Sequence, residues 1–337
     1  MRLKHSAVVC VAVFCEDAGH AELGSMKRLA DERVVIPDCL AGRRLDAALA
    51  KLLPDYSRSL IKAWIENGQV AEESGGSLKP RSMVQAGQEY RIRGELAAAG
   101  AVAPEFVEFD VVHADAHLIV VNKPAGLLVH PGAGHPRGTL QNGLLHRFPE
   151  LQAVPRFGLV HRLDAGTTGL LIVARSPAAH QRLTKDMQAR RIRREYRAVT
   201  RGCPVAGGTI DQPLGRHPRD RLRMAVRPGG RRAVTHYRLL ERFPGNAFAA
   251  VRLGTGRTHQ IRAHLAHIGF PLVGDSLYWR GSREFPRPAL HACKLRLEHP
   301  ATAAECAFEA PLPGDLLKLL GQLAGRERDW DGYSWNE

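Results

Sequence analysis

The sequence has little cysteine and no long apolar run. Six cysteines, Cys10, Cys15, Cys39, Cys203, Cys293 and Cys306, are scattered over 337 residues without a C-x-x-C pair. That excludes a disulfide-stapled scaffold, argues against structural zinc and points to a reducing compartment. No apolar stretch is long enough to span a bilayer, which argues against a membrane-spanning protein, and no membrane is among the expected partners. Residues 6–15, SAVVCVAVFC, follow Arg2 and Lys4 like a short signal core, but the small-residue cleavage site is poor and acidic residues follow at once. A start assigned too early, with Met26 as the true one, explains this better, and residues 1–37 are expected to be a disordered or spurious extension. No internal repeat is visible. Acidic charge is also short: 48 Lys and Arg face 34 Asp and Glu, a net charge of +14. Such an excess suits a polyanionic partner, nucleic acid or less often an anionic membrane. Arginine dominates, which favours forked contacts to phosphate and stacking on bases. A basic, GC-rich proteome would give the same excess.

The length suits about two domains at roughly 150 residues each. In the first, expected over 38–96, Leu45, Ala48, Leu49 and Leu52 keep helical spacing until Pro54-Asp55. Ser57 is placed to cap a second helix with the apolar stripe Leu60, Ile61, Trp64 and Ile65, closed by Asn67-Gly68. Short strand-like pieces follow near Val70 and at 89–92. Arg43, Arg44, Arg58 and Lys62 fall on the polar sides of these helices, where a solvated charged helix pair would also put them. This helix-helix-hairpin, with Arg44-Leu45-Asp46 and Ser57-Arg58 through Ile65, resembles the small RNA-binding domain of the S-four type. The resemblance implies RNA contact by Arg44, Arg58 and Lys62. The usual V-N-G-K hairpin turn is replaced by the longer, acidic Ala71-Glu72-Glu73-Ser74-Gly75-Gly76.

Residues 97–104, AAAGAVAP, read as a linker. Beyond it, strands are expected at 118–121, 170–174, 196–200, 235–240, 247–253 and 290–297, and helices near 178–191, 258–268 and 313–324. Strands with hairpin-length turns indicate an α+β domain over 105–325 with a mixed, largely antiparallel sheet, followed by a tail at 326–337.

Three stretches of this domain could carry chemistry. The first is His161-Arg162-Leu163-Asp164, just before a Gly/Thr turn and an apolar strand. A carboxylate there is costly unless it caps, pairs or reacts, and a turn or cap role is the ordinary one. The second is RRIRREYRAV, 190–199, in which Tyr196 opens a strand and would ordinarily be core. The third is GTGRTHQIRAHLAHIGFPLVGD, 254–275, where Gly256 and Thr258 should begin a helix with Ile261, Leu265 and Ile268 on one apolar face. Arg262 lies beside that face. If buried it needs a carboxylate, and Asp164 is a candidate. His259, His264 and His267 could be considered as metal ligands, but their gaps give one good same-face pair and no acidic third ligand. A hydrolase reading lacks a nucleophile elbow with a matched His and Asp.

In combination these stretches are specific. His161–Gly169 (H-R-L-D, then T-T-G), Glu195-Tyr196-x-Ala198, Gly256–His264 (G-R-T-H-Q-I-R-x-H) and Asn122–Gly132 (N-K-P-x-G-L-x-V-H-P-G) resemble the RluA-type RNA pseudouridine synthases over nearly the whole chain after residue 40. LPDYSRS (53–59), HPGAG (130–134), 209–213 and AVTHY (233–237) point within that family to members acting on large-subunit ribosomal RNA. Ala165-Gly166 departs from the usual polar pair, for which altered turn stiffness with the chemistry kept is expected.

The resemblance implies an isomerase, working without metal or cofactor, that breaks the uridine N-glycosidic bond, turns the base and rejoins it through carbon. It maps the essential aspartate onto Asp164, a cation holding it charged onto Arg262, and a ring packing on the flipped base onto Tyr196. Arg162 would fill the gap left by the flipped nucleotide. Arg190, Arg191, Arg193, Arg194 and Arg197 around Tyr196, and Arg216, Arg219, Arg221 and Arg223 beyond it, would contact phosphates. The second set could as well be a solvated face. The expected partner is 23S ribosomal RNA or the pre-ribosomal large subunit, met by a cytoplasmic monomer. The rivals are a transfer RNA synthase of the same family and an idle RNA-binding assembly factor, which the survival of Asp164, Tyr196 and Arg262 disfavours.

Overall fold

The computed structural model describes residues 28–53, 56, 58–73, 75–96, 102–132, 135–220, 222–281, 285–326, 328–333 and 335. The expected cap Ser57, Arg221 and most of the 97–104 linker lie outside them. The chain divides into two compact units, one up to residue 101 and one from Val102.

In the first unit, β1 (Arg28–Val35), α1 (Leu45–Leu52), α2 (Arg58–Glu66), β2 (Val70–Glu72) and β3 (Glu89–Leu96) follow in order. The antiparallel sheet runs β1-β3-β2. Leu45, Leu49, Ile61, Trp64, Tyr90 and Ile92 form its core. Helical spacing buries one stripe of each helix, and the Trp64 ring lies flush on β3, where a Cβ at Gly94 would come within 2.2 Å of it.

β1 corrects the expectation that residues up to 37 are an extension. Its eight residues pair in full register with β3, from Arg28 opposite Leu96 to Val35 opposite Glu89. The charges of RLADERVV hide the period-2 pattern, in which Ala30 is buried and Val34 packs against the core. The backbone ladder is what holds the strand.

The second unit is α+β. Its strands are β4 (Asp110–Ala114), β5 (Leu118–Lys123), β6 (Thr168–Ala174), β7 (Arg193–Arg201), β8 (Gly208–Asp211), β9 (Leu214–Arg216), β10 (Met224–Val226), β11 (Val234–Phe243), β12 (Asn246–Leu253), β13 (Leu290–Glu298) and β14 (Glu305–Glu309). Its helices are α3 (Leu140–Arg147), α4 (Pro177–Gln188), α5 (Gln260–His267) and α6 (Gly314–Ala324). The main sheet has the order β4-β5-β6-β13-β7-β12-β11-β8, with β14 also on β13, and β9 and β10 form a separate ribbon. All its pairings are antiparallel except β6 with β13. That junction is tight, because Gly169 sits at φ +108° and a Cβ there would lie 2.2 Å from the Ala292 carbonyl oxygen.

β6 is buried along its whole length, as its unbroken apolar run requires. The turn carrying Asp164 therefore leaves from the centre of the sheet. The described part of the expected tail is also structured. Trp330 is buried against Phe243 and Phe248, and the Tyr333 hydroxyl donates to Glu241 at 2.6 Å.

Candidate active site

The turn 164–167 is fixed from several sides. The Thr167 amide donates to the Asp164 carbonyl at 3.0 Å, and the Gly126 amide to the Ala165 carbonyl at 2.9 Å. Beneath it lies Lys123, fully buried at the end of β5. Its Nζ donates to the carbonyls of Pro124, Leu127 and Ala165 at 2.7, 2.9 and 3.0 Å. Burial pulls the Lys123 amine down to about 7, against the attraction of Asp164. His161 ties the preceding segment to β6, its Nε2 accepting from the Ile172 amide at 3.0 Å. Burial, aided by the charge of Arg194, takes this imidazole down to about 3, so it is the neutral ring that accepts.

Arg262 comes from α5. The helix begins at Gln260, not at Gly256 or Thr258, because His259 takes a left-handed conformation at φ 53°. Gln260 staples the loop before it. Its Oε1 accepts from the Thr255 hydroxyl and the Arg257 amide at 2.7 and 3.0 Å, while its Nε2 donates to the Val234 carbonyl at 2.9 Å. Arg262 then donates from Nη1 to Asp164 Oδ2 at 3.1 Å.

Its stronger partner is Asp275, which the sequence reading quoted within the third stretch and did not assign. Nε and Nη2 of Arg262 reach the two Asp275 oxygens at 2.7 and 2.8 Å, a bidentate fork on a carboxylate only 1% exposed. Burial alone would lower the guanidinium's pKa, but Asp275 and then Asp164 outweigh it and raise it. The result is a chain Asp275–Arg262–Asp164, with the more exposed carboxylate at the cavity end. His259 lies 3.8 Å from the other Asp164 oxygen.

The cavity, about 520 Å³, is within the ~300–1,000 Å³ usual for small-molecule sites. Asp164, Arg262, Tyr196, Arg162, Arg190 and Arg194 all line it. Tyr196 is 4% exposed, and burial raises its hydroxyl pKa, so its proton stays on at neutral pH. Arg162 and Arg190 are exposed, and the Nε of Arg194 is buried without a hydrogen-bond partner. Arg156, also at the wall, was missed. It and Phe157 take left-handed φ of 53° and 54°, a strain that sequence pattern does not advertise.

Other expected contacts are diverted inward. Arg197 is buried and pairs with Glu195 at 2.6 Å, so it is not available to phosphate. Arg191, with Arg182, neutralises the buried Asp186. Arg193 is exposed on the start of β7. In the first unit Arg44 and Arg58 both pair with the buried Asp46, at 3.1 and 3.0 Å, yet keep about half of their side chains in solvent (50% and 54%). Lys62 is exposed beside Glu66. Arg216 sits on β9, and Arg223 lies over the Tyr278 ring at 5.2 Å. The three histidines considered for metal do not converge. His264 turns into the interior to Thr235 and Gln212, and no cluster of three His, Cys, Asp or Glu side chains suited to a metal occurs among the described residues.

Comparison with known proteins places this chain among the RNA pseudouridylate synthases. The chain belongs to that family, whose sequence pattern matches residues 117–267. It is 46% identical over 302 residues to ribosomal large subunit pseudouridine synthase D of Pseudomonas aeruginosa, covering 86% of this chain and 94% of that one. The Escherichia coli K12 protein of the same name is 45% identical over 309 residues, covering 87% and 95%. Among solved structures, human RNA pseudouridylate synthase domain containing 4 matches with TM-score 0.52 and 26% identity over 64% of this chain and 93% of its own.

Proposed function

We propose that this protein converts uridines to pseudouridine in the 23S RNA of the large ribosomal subunit. The observation that carries this is convergence. Asp164 and Arg262, 98 residues apart in sequence, touch at 3.1 Å in a cavity that Tyr196 and Arg162 also line. The large-subunit substrate follows the names of the relatives matched over nearly their full length.

The reaction is an isomerisation, in which the N1–C1′ bond breaks, a C5–C1′ bond forms, and a proton leaves C5 while one is gained at N1. The target base must first leave the RNA stack, at a cost of a few kcal/mol. The exposed Arg162 takes the vacated position, and the Tyr196 ring receives the flipped base. Asp164 is the catalytic group, and Arg262 supplies the counter-charge that keeps a carboxylate at this depth. Lys123, His161, Gln260 and Asp275 are positioning residues. Arg190 and Arg194 at the rim, and Arg44, Arg58 and Lys62 of the S-four-like first unit, contact phosphates and set affinity more than sequence choice. Arg193 joins them, as does Arg191 with the part of its guanidinium that Asp186 leaves free. The protein acts as a monomer in the compartment where ribosomes assemble. No described helix is long and apolar enough to cross a membrane.

Asp164→Asn tests the reading. The variant is expected to lose pseudouridine formation on a large-subunit RNA transcript while binding that RNA within a few fold of the parent. Pseudouridine mapping in a deletion strain then fixes the substrate. Persistence of every large-subunit site with loss of a transfer RNA site would overturn the assignment.

A further inference from the structure

A second basic recess lies on the other side of the sheet from Tyr196. Along β7 successive side chains point to opposite faces. Tyr196 faces the catalytic cavity, and Glu195 faces a recess of about 100 Å³ walled by Arg193, Arg194, Arg252, Lys294, Arg296 and Trp335. Arg194, at the start of the strand, lines both.

Two features of this recess are unexplained by folding. Arg193 and Arg296 stand directly opposite each other on the antiparallel strands β7 and β13. Like charges at facing positions destabilise a sheet. Both side chains are exposed, and neither has an ion-pair partner among the described residues. Two of the other cations are neutralised, Arg252 by Glu195 at 2.9 Å and Lys294 by Glu309 at 2.9 Å. The second feature is the wall. The C-terminal segment is brought back over the sheet by hydrogen bonds from Arg197 to the Tyr333 carbonyl and from Arg238 to the Trp335 carbonyl. This sets the Trp335 indole 4.2 Å from the Arg252 guanidinium carbon, a cation–π contact that orders the ring.

We infer that this recess binds the phosphodiester backbone of the substrate RNA beside the target uridine, with Arg193 and Arg296 gripping one phosphate group and Trp335 forming the wall. The inference rests on the RNA-modifying reading above. A phosphate would convert the unfavourable Arg193–Arg296 pair into a two-armed clamp. The path from the catalytic cavity runs round the start of β7 past Arg194, whose Nε has no protein partner. The strand carrying Tyr196 would thus be held on both faces by one RNA.

The test measures binding of the full-length protein to a large-subunit RNA transcript over a range of KCl concentrations. The parent is Asp164→Asn, so that no turnover intervenes. Adding Arg193→Gln and Arg296→Gln is expected to lower the salt slope by about 0.7, the value for one single-strand phosphate contact. That corresponds to binding roughly fourfold weaker near 0.15 M salt, converging towards 1 M. Arg296→Gln alone should remove about half of the slope change, and Trp335→Ala should weaken binding with the slope retained. Arg242→Gln, an exposed arginine on β11 outside the recess, controls for net charge and should move the slope less. A double variant whose slope and affinity match the parent's, or are no lower than the Arg242→Gln control's, overturns the recess. Pseudouridine formation by the unmodified chain on the same transcript is scored separately. Conversion with coincident slopes defeats the recess alone, whereas absence of any conversion defeats the functional reading whatever the slopes show.

Discussion

Replacing Asp275 by Asn removes the charge at the buried end of the Asp275–Arg262–Asp164 chain without changing side-chain shape. Asp275 accepts two hydrogen bonds from Arg262, at 2.7 and 2.8 Å, and a third from the Leu277 amide at 3.2 Å. An Asn keeps one acceptor and turns an N–H towards the guanidinium. Arg262, 8% exposed, is then left with Asp164 as its counter-charge. Breaking one side of a buried ion pair costs about 3–5 kcal/mol, and the retained acceptor places this case near 3. For a unit of this size each kcal/mol lowers Tm by about 2–4 °C, so a fall of roughly 6–12 °C is expected by thermal denaturation. The freed guanidinium no longer has a fixed bearing on Asp164. Single-turnover pseudouridine formation, followed as tritium release from C5-labelled uridine, should slow about 10- to 100-fold, or about 1.4–2.7 kcal/mol of barrier. Arg262→Gln combined with Asp275→Asn leaves no buried charge to strand, so it should recover much of the lost Tm while activity stays low. An Asp275→Asn protein that melts within about 2 °C of the parent and turns over within twofold would refute the idea that Asp275 governs Arg262.

Other expectations follow from single residues. Lys123 has a lower pKa in the fold, about 7, than the ordinary 10.5, so the unfolded chain holds more protons between these values. Stability of the parent relative to Lys123→Met should therefore rise with pH across that window, and a flat difference in Tm would contradict it. His291, 1% exposed and bonded to Thr168 and Ala310, is lowered to about 4 by burial. Its share of stability, about 3 kcal/mol at most, is complete above pH 6.5 and is lost as pH falls towards 4, so His291→Gln should show a shallower acid melting profile. Gly169→Ala should lower Tm by more than 10 °C or abolish soluble expression, because the new methyl meets the β13 backbone. A chain begun at Pro37 loses β1 and should lower the melting of the first unit, seen in Trp64 fluorescence.

The sequence by itself determined the elements that carry a strong period. The apolar stripe of α2, the run 170–174 and the face of α5 are visible because burial of one face imposes a spacing. It also singled out Asp164, Tyr196 and Arg262 as candidates, through motifs whose residues stay close in sequence, and the structure places all three at one cavity. β1 was lost because its charges conceal a strand held by backbone pairing. The inward use of Arg197, Arg191 and partly of Arg44 and Arg58 was lost because an arginine looks the same in sequence whether it meets solvent or a buried carboxylate. Only the tertiary structure decided which carboxylate sits behind Arg262, that Lys123 braces the turn carrying Asp164, and that Arg193 faces Arg296. Those contacts are made across turns and between segments that the fold brings together, from 13 residues apart for Arg262 and Asp275 to 42 for Lys123 and Ala165 and more for Arg193 and Arg296. Their energies depend on distance and on exclusion of water, and neither is written in the local pattern of the chain.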